Sequence, residues 1–313
     1  MKTFRYVRNA ARLSLLLVLA AALIIPLFGC AAEGGRDENG VSESAAQTEP
    51  PPTQDKNEKL ACLYADSTEK LDKLCQNAEA VSGAEESCAV LLPHYANAFS
   101  MCCDALAGIR RDAELVVIAG PNHTGEGESI QISGADWYWS GGEAKGDAET
   151  AEKLALACGA ACTSRVISQD WSVQSLIPYV RAYFPNARIV TVLLARGARE
   201  DALMALAESF AEIQTERELL LVGSADFSHY HDPETAAKND EVTLSCIENG
   251  ETARLLTLDN GYIDSPETAV LTMYYAGLQK AELKQSGGLF ERFRENGQEK
   301  AGSYYAFYAQ KEP

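Results

Sequence analysis

Positive charge is scarce in this chain. Lysine and arginine number 27 against 45 aspartates and glutamates, and the formal net charge is −18. Such a surface repels phosphate backbones and anionic headgroups, which argues against nucleic acid and anionic lipid as partners and for a freely solvated domain near a membrane. Histidine is scarcer still, with four residues, so the position of each one is informative. Hydrophobic residues nonetheless form 46% of the chain, enough for a sizeable core.

The uncharged apolar run near the N-terminus is too short for a membrane span. It covers residues 13–28, whereas a spanning helix needs roughly 20 residues. Basic residues precede the run and small residues, Gly29 and Ala31, flank Cys30 at its end. This order is typical of a signal peptide and resembles a bacterial lipobox, in which the cysteine is acylated. We predict a lipoprotein signal peptide over residues 1–29, lipidation at Cys30 and an extracytoplasmic, membrane-anchored location; an uncleaved anchor is the alternative.

Large apolar residues are nearly absent from the segment that follows. Residues 31–59 consist mainly of glutamate, glycine, serine, glutamine, threonine and proline, with three prolines at 50–52. Such a composition cannot bury enough surface to fold, so residues 30–59 are predicted to be a disordered tether. Folding periodicity begins near Leu60, which predicts one domain over residues 60–313.

Zinc-type Cys-x-x-Cys pairs are also absent. Eight cysteines remain after Cys30. Export favours disulfides, whereas the apolar context of several of these residues favours buried thiols. Both interpretations stay open, and the sequence does not determine a pairing.

Short apolar runs alternate with longer segments of helical period. Strands are predicted at residues 88–93, 115–119, 189–194 and 219–223, and helices at 97–111, 149–161, 172–184 and 200–214. This alternation predicts an α/β domain with a mostly parallel or mixed central sheet flanked by helices. Residues 129–133 and 136–139 are predicted to form a hairpin, and residues 304–308 a late strand at the sheet edge.

The histidines follow the predicted strands. His94, His123 and His229 each come shortly after a different buried strand, and Asp226 lies three residues before His229. Ligands of such sheets bind beyond the carboxyl ends of the strands. Histidine is both a common metal ligand and the usual base near neutral pH, so a metal or acid–base site is predicted at this rim.

Four segments carry a resemblance to a known family. Residues 120–125 (GPNHTG) and 223–230 (GSADFSHY) are similar to two signatures of the Memo family, known in bacteria as AmmeMemoRadiSam system protein B. Residues 92–96 (LPHYA) resemble its Pro-His-Ala-Gly motif, and residues 170–174 (DWSVQ) its Glu-His-Ser-Leu-Glu segment. The resemblance runs in order from about residue 88 to residue 277.

The resemblance implies a fold related to class III extradiol (LigB-like) dioxygenases, with a metal pocket at the strand ends. His94 and His123 match the two histidine ligands of the family, and Asp226 and His229 match its pocket pair. The remaining family ligand is usually a cysteine in a Cys-Gly motif. Residues 261–269 contain no cysteine, and Asp264 fits that position best.

Two further positions depart from the family pattern. Trp171 stands where the family often has a histidine, and Gln174 where it has an acid. We expect a more apolar and less charged pocket wall. Tyr230 and His231 are either residues of the site mouth or solvent-facing loop residues.

Two histidines with one carboxylate are the donor set of non-haem Fe(II) oxygenases. A divalent metal, iron in first place with zinc or copper also suited, is therefore expected on His94, His123 and Asp264, with His229, held by Asp226, as an acid–base residue. Three functions stay open: a dioxygenase-like oxidoreductase, a zinc hydrolase that uses metal-bound water, and a non-catalytic metal- or peptide-binding lipoprotein. The resemblance also implies association with a radical-SAM system, and it specifies no small-molecule or peptide substrate.

Overall fold

The structure, a computed structural model, describes residue 55 and residues 57–311. The predicted signal peptide, the lipidation site Cys30 and most of the predicted tether lie outside the described residues, so these remain predictions. Within the described part, no helix combines the length and the apolar character that crossing a membrane requires.

A mixed sheet of nine strands forms the centre of the described residues. The strands of the chain are β1 (Lys59–Ala61), β2 (Ala89–Leu92), β3 (Leu115–Pro121), β4 (Ile130–Ser133), β5 (Asp136–Trp139), β6 (Gly142–Ala144), β7 (Ala161–Cys162), β8 (Arg188–Leu194), β9 (Leu219–Ser224), β10 (His229–His231), β11 (Ala281–Glu295) and β12 (Gln298–Lys311). The large sheet runs in the order β12, β2, β9, β3, β8, β4, β7, and both β10 and β11 pair with β12. Strands β1, β5 and β6 form a separate small sheet.

The middle of the large sheet is parallel. Strands β2, β9, β3 and β8 are paired in parallel, whereas β4 and β12 join antiparallel on the two sides. Every residue of β3 is buried, which is why this strand is a continuous apolar run rather than an alternating one.

Helices cover both faces of this sheet. They are α1 (Thr68–Gln76), α2 (Phe99–Gly108), α3 (Ala148–Cys158), α4 (Trp171–Gln174), α5 (Ile177–Tyr183), α6 (Glu200–Gln214), α7 (Pro233–Glu248), α8 (Thr252–Leu255) and α9 (Pro266–Leu278). Successive side chains of β2 enter opposite cores: Leu91 packs with α6 and α9, whereas Val90 packs with α2 and α5. The predicted α/β class, a mixed central sheet flanked by helices, is confirmed.

The predicted hairpin of residues 129–133 and 136–139 is wrong. Strand β4 pairs with β8 and β7, whereas β5 pairs with β1 and β6 in the small sheet. All four residues of β4 are buried, which suits a place inside the large sheet. Strand β5 buries Trp137 and exposes Tyr138, so it suits a sheet with one solvated face.

The predicted edge position of residues 304–308 is also wrong. These residues belong to β12, which pairs with β11 along its whole length and with β2 and β10 on its other side. The sequence pattern missed β11, because its residues are mostly polar and exposed toward the tip of the hairpin. A strand partner with little burial leaves a weak hydrophobic signal.

Candidate metal centre

Three neighbouring strands deliver polar residues to one rim. His94, His123 and Asp226 each lie two residues beyond the ends of β2, β3 and β9. These strands are adjacent and parallel, so their carboxyl ends lie side by side. Asp264 comes from the loop before α9, and an isolated bridge between Phe227 and Ile263 holds that loop beside the end of β9.

The glycines of the two long motifs permit close packing beneath the rim. A Cβ atom at Gly120 would lie 2.7 Å from Oγ of Ser172, which itself donates a hydrogen bond to the carbonyl of Pro121. A Cβ atom at Gly223 would collide with Oγ1 of Thr272 on α9. Glycine at these positions therefore lets α4 and α9 approach the strands that carry the site residues.

Three potential metal ligands converge at the rim. Nε2 of His94 lies 3.2 Å from Oδ2 of Asp264, and Nε2 of His123 lies 3.9 Å from the same oxygen. One ligand atom from each of the three residues lies within 4.8 Å of the others. The side chains of His94 and Asp264 are almost completely buried, and that of His123 is 19% exposed.

Hydrogen bonds determine which nitrogen of each imidazole carries its proton. The hydroxyl of Ser224 donates its only proton to the carbonyl of Ser172 at 2.7 Å, so it accepts from Nδ1 of His94 at 3.0 Å. Nδ1 of His123 lies 3.0 Å from Oδ1 of Asp170, an ionised acceptor. Both rings therefore hold Nδ1–H in a hydrogen bond and direct Nε2 toward Asp264.

The rim carries more negative than positive charge. Asp226, Asp264 and Asp170 are buried there, and none of them forms an ion pair with a lysine or arginine of the described residues. Burial opposes charge on His94, but attraction to Asp226 and Asp264 outweighs it and raises the pKa of His94 to about 9. Burial raises the pKa of Asp226. The buried carboxylates therefore favour a positive charge at this site.

The model of the family described as Memo-like protein matches residues 61–283. The chain belongs to the Memo-like family. A MEMO1 family protein of Aquifex aeolicus is 28% identical over 170 residues, which are 53% of this chain and 63% of that protein. One from Archaeoglobus fulgidus is 28% identical over 137 residues, covering 44% and 52%. The chain thus spans less than two thirds of the length of these relatives.

A solved structure also resembles this Memo-like domain. It is that of an uncharacterised protein from Escherichia coli K12, with 12% sequence identity and a TM-score of 0.48. The similarity covers 70% of this chain and 98% of the Escherichia coli chain.

The hydrogen bond expected between Asp226 and His229 is replaced by other contacts in the Memo-like domain. Oδ1 of Asp226 accepts from the backbone N–H of His94 at 2.9 Å, and Oδ2 lies 3.6 Å from Nε2 of His94. Nδ1 of His229 instead lies 2.7 Å from the carbonyl of Phe227. Asp226 therefore contacts the candidate ligand His94, whereas the carbonyl of Phe227 orients His229.

Aromatic side chains cover His123, the most exposed of the three candidate ligands. The indole of Trp171 stacks on the His123 ring, with centroids 3.9 Å apart and planes 17° from parallel. Tyr64 meets Trp171 edge-on at 6.2 Å. Gln174, by contrast, is buried and accepts from the backbone of Leu63. Of the two departures from the family pattern, only Trp171 covers a candidate ligand.

The strand β10 region carries the other two residues expected near the site mouth. Tyr230 is 61% exposed and has a φ of 63°, a backbone conformation that a bulky residue adopts only when its surroundings hold it there. Its ring packs edge-on against His229 and Phe293. Tyr230 therefore forms an exposed wall beside His229, and His231 is partly exposed.

Two residues that orient the ligands were not identified from the sequence. Asp170 caps α4 and accepts from the backbone and the ring of His123, and Ser224 holds His94. A helix-capping aspartate directly before a short helix was the available signal for Asp170. No local pattern distinguishes Ser224 from any other serine at the end of a strand.

Proposed function

We propose that the domain binds one divalent metal ion through His94, His123 and Asp264 and acts as a non-haem, metal-dependent oxidoreductase on a small organic molecule, with iron as the metal. The observation that supports this best is the pair of imidazoles whose Nδ1–H groups are occupied and whose Nε2 atoms face the Asp264 carboxylate. Histidine ligands typically have their second nitrogen held in this way.

The donor set fits a divalent ion in size and charge. Nitrogen and oxygen ligands of zinc lie about 2.0–2.2 Å from the metal, so neighbouring ligand atoms are separated by about 3–3.5 Å. The separations of 3.2 Å and 3.9 Å from Asp264 are close to this range. A dication would also offset the charge of the buried carboxylates, which is otherwise costly.

A hard carboxylate instead of a thiolate favours iron. Two histidines and one carboxylate are the facial donor set of non-haem iron enzymes. Bound iron(II) would supply redox chemistry at open coordination positions. The protein would supply the proton transfers: the Nδ1–H of His229 is held by the Phe227 carbonyl, which leaves Nε2 as the basic atom. Trp171 would present an apolar wall to the substrate.

Metal analysis of protein purified without oxygen tests the proposal. We expect about one equivalent of iron per chain and, in a screen of small organic molecules as electron-donating substrates, oxygen consumption that depends on this iron. A matched sample of His94→Ala protein should contain little metal and consume no oxygen. One equivalent of zinc with no oxygen consumption would instead support a zinc hydrolase, for which the same three ligands are suited. Wild-type protein that retains no stoichiometric metal would contradict both functions.

The extracytoplasmic location is a separate part of the proposal. A cysteine after a short apolar run supports acylation of Cys30, and two or more acyl chains provide stable anchoring where one does not. Mass spectrometry of the native N-terminus should find an acylated Cys30. A mature chain that begins elsewhere and is released into the medium would overturn this part and leave the metal site untouched.

A further inference from the structure

The segment that carries Asp264 is held by a side chain from a distant part of the chain. Arg196 lies in the turn between β8 and α6, and its guanidinium donates three hydrogen bonds to this segment. Nη1 donates to the carbonyl of Leu258 at 2.8 Å, and Nη2 donates to the carbonyls of Ile263 and Asp264 at 3.1 Å each. One side chain therefore holds both ends of residues 258–264.

The partners of Arg196 are backbone carbonyls and not carboxylates. Arg196 is exposed in a strongly acidic chain, yet its guanidinium forms no ion pair with the residues that the structure describes. Arg199, in the same turn, instead pairs with the carboxylate of Asp201. A planar guanidinium presents several donors in a fixed geometry, so it can hold more than one acceptor at once. The contacts of Arg196 therefore connect the turn to the backbone of the Asp264 segment.

The same turn also contacts the residues that follow Asp264. The N–H of Gly197 donates to Oε1 of Glu267 at 2.7 Å, and Glu267 is buried in the first turn of α9. Gly197 has a φ of 81°, a conformation that glycine adopts at no steric cost. The turn between β8 and α6 is therefore bonded to the chain both before and after the candidate ligand.

Hydrogen bonds leave one oxygen of Asp264 to face the histidines. The N–H of Asp264 donates to the carbonyl of Asp226 at 3.0 Å, and its Oδ1 accepts from the N–H of Asp226 at 3.1 Å. Its Oδ2 faces Nε2 of His94 and His123. The like charges of Asp226 and Asp264 oppose this arrangement when no cation lies between the ligands. The hydrogen bonds from Arg196 to the Asp264 segment resist its outward movement.

We propose that Arg196 is a positioning residue that holds the Asp264 carboxylate where it can bind a divalent metal together with His94 and His123. This inference rests on the proposed metal site and adds a residue that is not itself a ligand. Arg196 acts through Asp264, because its hydrogen bonds reach only residues 258–264. Residues that orient metal ligands in this way typically change metal affinity about 10- to 100-fold.

Competition between the full chain and a chromophoric chelator for Zn²⁺ is the first test. Arg196→Ala protein should bind Zn²⁺ about 10-fold more weakly than wild type, whereas Arg199→Ala protein, the matched control from the same turn, should bind it as tightly as wild type. In Asp264→Ala protein the Arg196→Ala change should have no further effect, because the positioned carboxylate is missing. Equal affinity of Arg196→Ala and wild-type protein, or the same loss with and without Asp264, would overturn the proposal.

Hydrogen exchange of metal-free protein distinguishes this inference from the proposed function. Peptides that cover residues 258–264 should exchange at least about 10-fold faster in Arg196→Ala protein than in wild type, because the segment opens more often. Peptides of the neighbouring helix α6 should exchange at the wild-type rate, and Arg199→Ala protein should show neither change in the Asp264 segment nor weaker Zn²⁺ binding. Wild-type protein that binds no Zn²⁺ would overturn the proposed metal site, whereas unchanged exchange in Arg196→Ala protein would overturn the role of Arg196 alone.

Discussion

Two buried carboxylate clusters of this protein differ in the groups that face the carboxylate oxygens. At Asp240 on α7, Ser303 donates to Oδ1 at 2.6 Å and Tyr305 donates to Oδ2 at 3.2 Å, so each oxygen has a donor. At the strand ends, the carboxylate of Asp264 faces Nε2 of both His94 and His123. The first cluster satisfies its own polar groups, whereas the second directs its ligands at a common point.

This difference separates a structural polar cluster from a candidate ligand-binding one. The hydroxyl donors of Ser303 and Tyr305 offset part of the cost of burying Asp240. The rim cluster adds residues that only orient others, since Asp170 holds His123 and Ser224 holds His94. Such orientation is needed for a ligand that binds between side chains and is of little use in a cluster that stabilises only the fold.

The largest expected effect follows from removal of the candidate carboxylate ligand. Asp264→Ala should lower metal affinity at least about 100-fold, as should His123→Ala, because each change deletes a donor atom. Ser265→Ala is the matched control: its hydroxyl caps α9 and contacts Thr268, so stability falls by about 1 kcal/mol while affinity changes little. Metal content after dialysis against a weak chelator measures the effect. Equal content in Asp264→Ala and wild-type protein would show that the carboxylate is structural.

The next effect concerns a residue that orients a ligand. Asp170→Asn should weaken metal binding about 10- to 100-fold, because the amide offers one acceptor where the carboxylate holds the His123 ring, its backbone and Ser172. Asp147 is a matched control, since it caps α3 and pairs with Arg217 away from the rim. Competition with a chromophoric chelator measures both variants. If Asp147→Asn weakened binding as much, the loss would reflect helix stability and not ligand orientation.

The structural cluster should respond to pH rather than to metal. Burial raises the pKa of Asp240 to about 6, above its unfolded value, so its contribution to stability is complete below about pH 4 and is lost as the pH rises through 6. Between pH 4 and pH 7, wild-type protein should lose about 2 kcal/mol of stability relative to Asp240→Asn. Urea unfolding at several pH values measures this difference. A constant difference across the range would show that Asp240 ionises normally in the folded protein.

The smallest effect belongs to the aromatic wall. Trp171→Ala should lower metal affinity less than about 10-fold, because a stacked ring contributes about 0.5–1.5 kcal/mol and Asp170 still holds His123. Tyr138, also an exposed aromatic residue but located on β5, is the control, and its replacement by alanine should leave affinity unchanged. Chelator competition gives both values. A loss for Trp171→Ala as large as that for Asp170→Asn would mean that stacking, not the hydrogen bond, orients His123.

The sequence by itself determined the α/β class, the buried parallel strands, and the rim at the strand ends where His94 and His123 meet. These features depend on local hydrophobic patterns and on the general rule that parallel strands end on one side. The positions of Asp264 and of the motif residues depended on a family resemblance, and the match of residues 61–283 supports that resemblance. The structure brings Asp264 close to the two histidines, as the resemblance predicts.

Only the tertiary structure decided which strands pair and which side chains far apart in the chain form hydrogen bonds with each other. Strand β4 pairs with β8 and not with β5, and β12 pairs along its length with β11. Strand pairing depends on which face of each strand is buried in the folded protein. Asp226 accepts a hydrogen bond from His94 and not from His229. Asp170, 47 residues away in the chain, holds the ring of His123. Such contacts are formed through space between groups far apart in the chain, and their geometry is set by packing that no local pattern records.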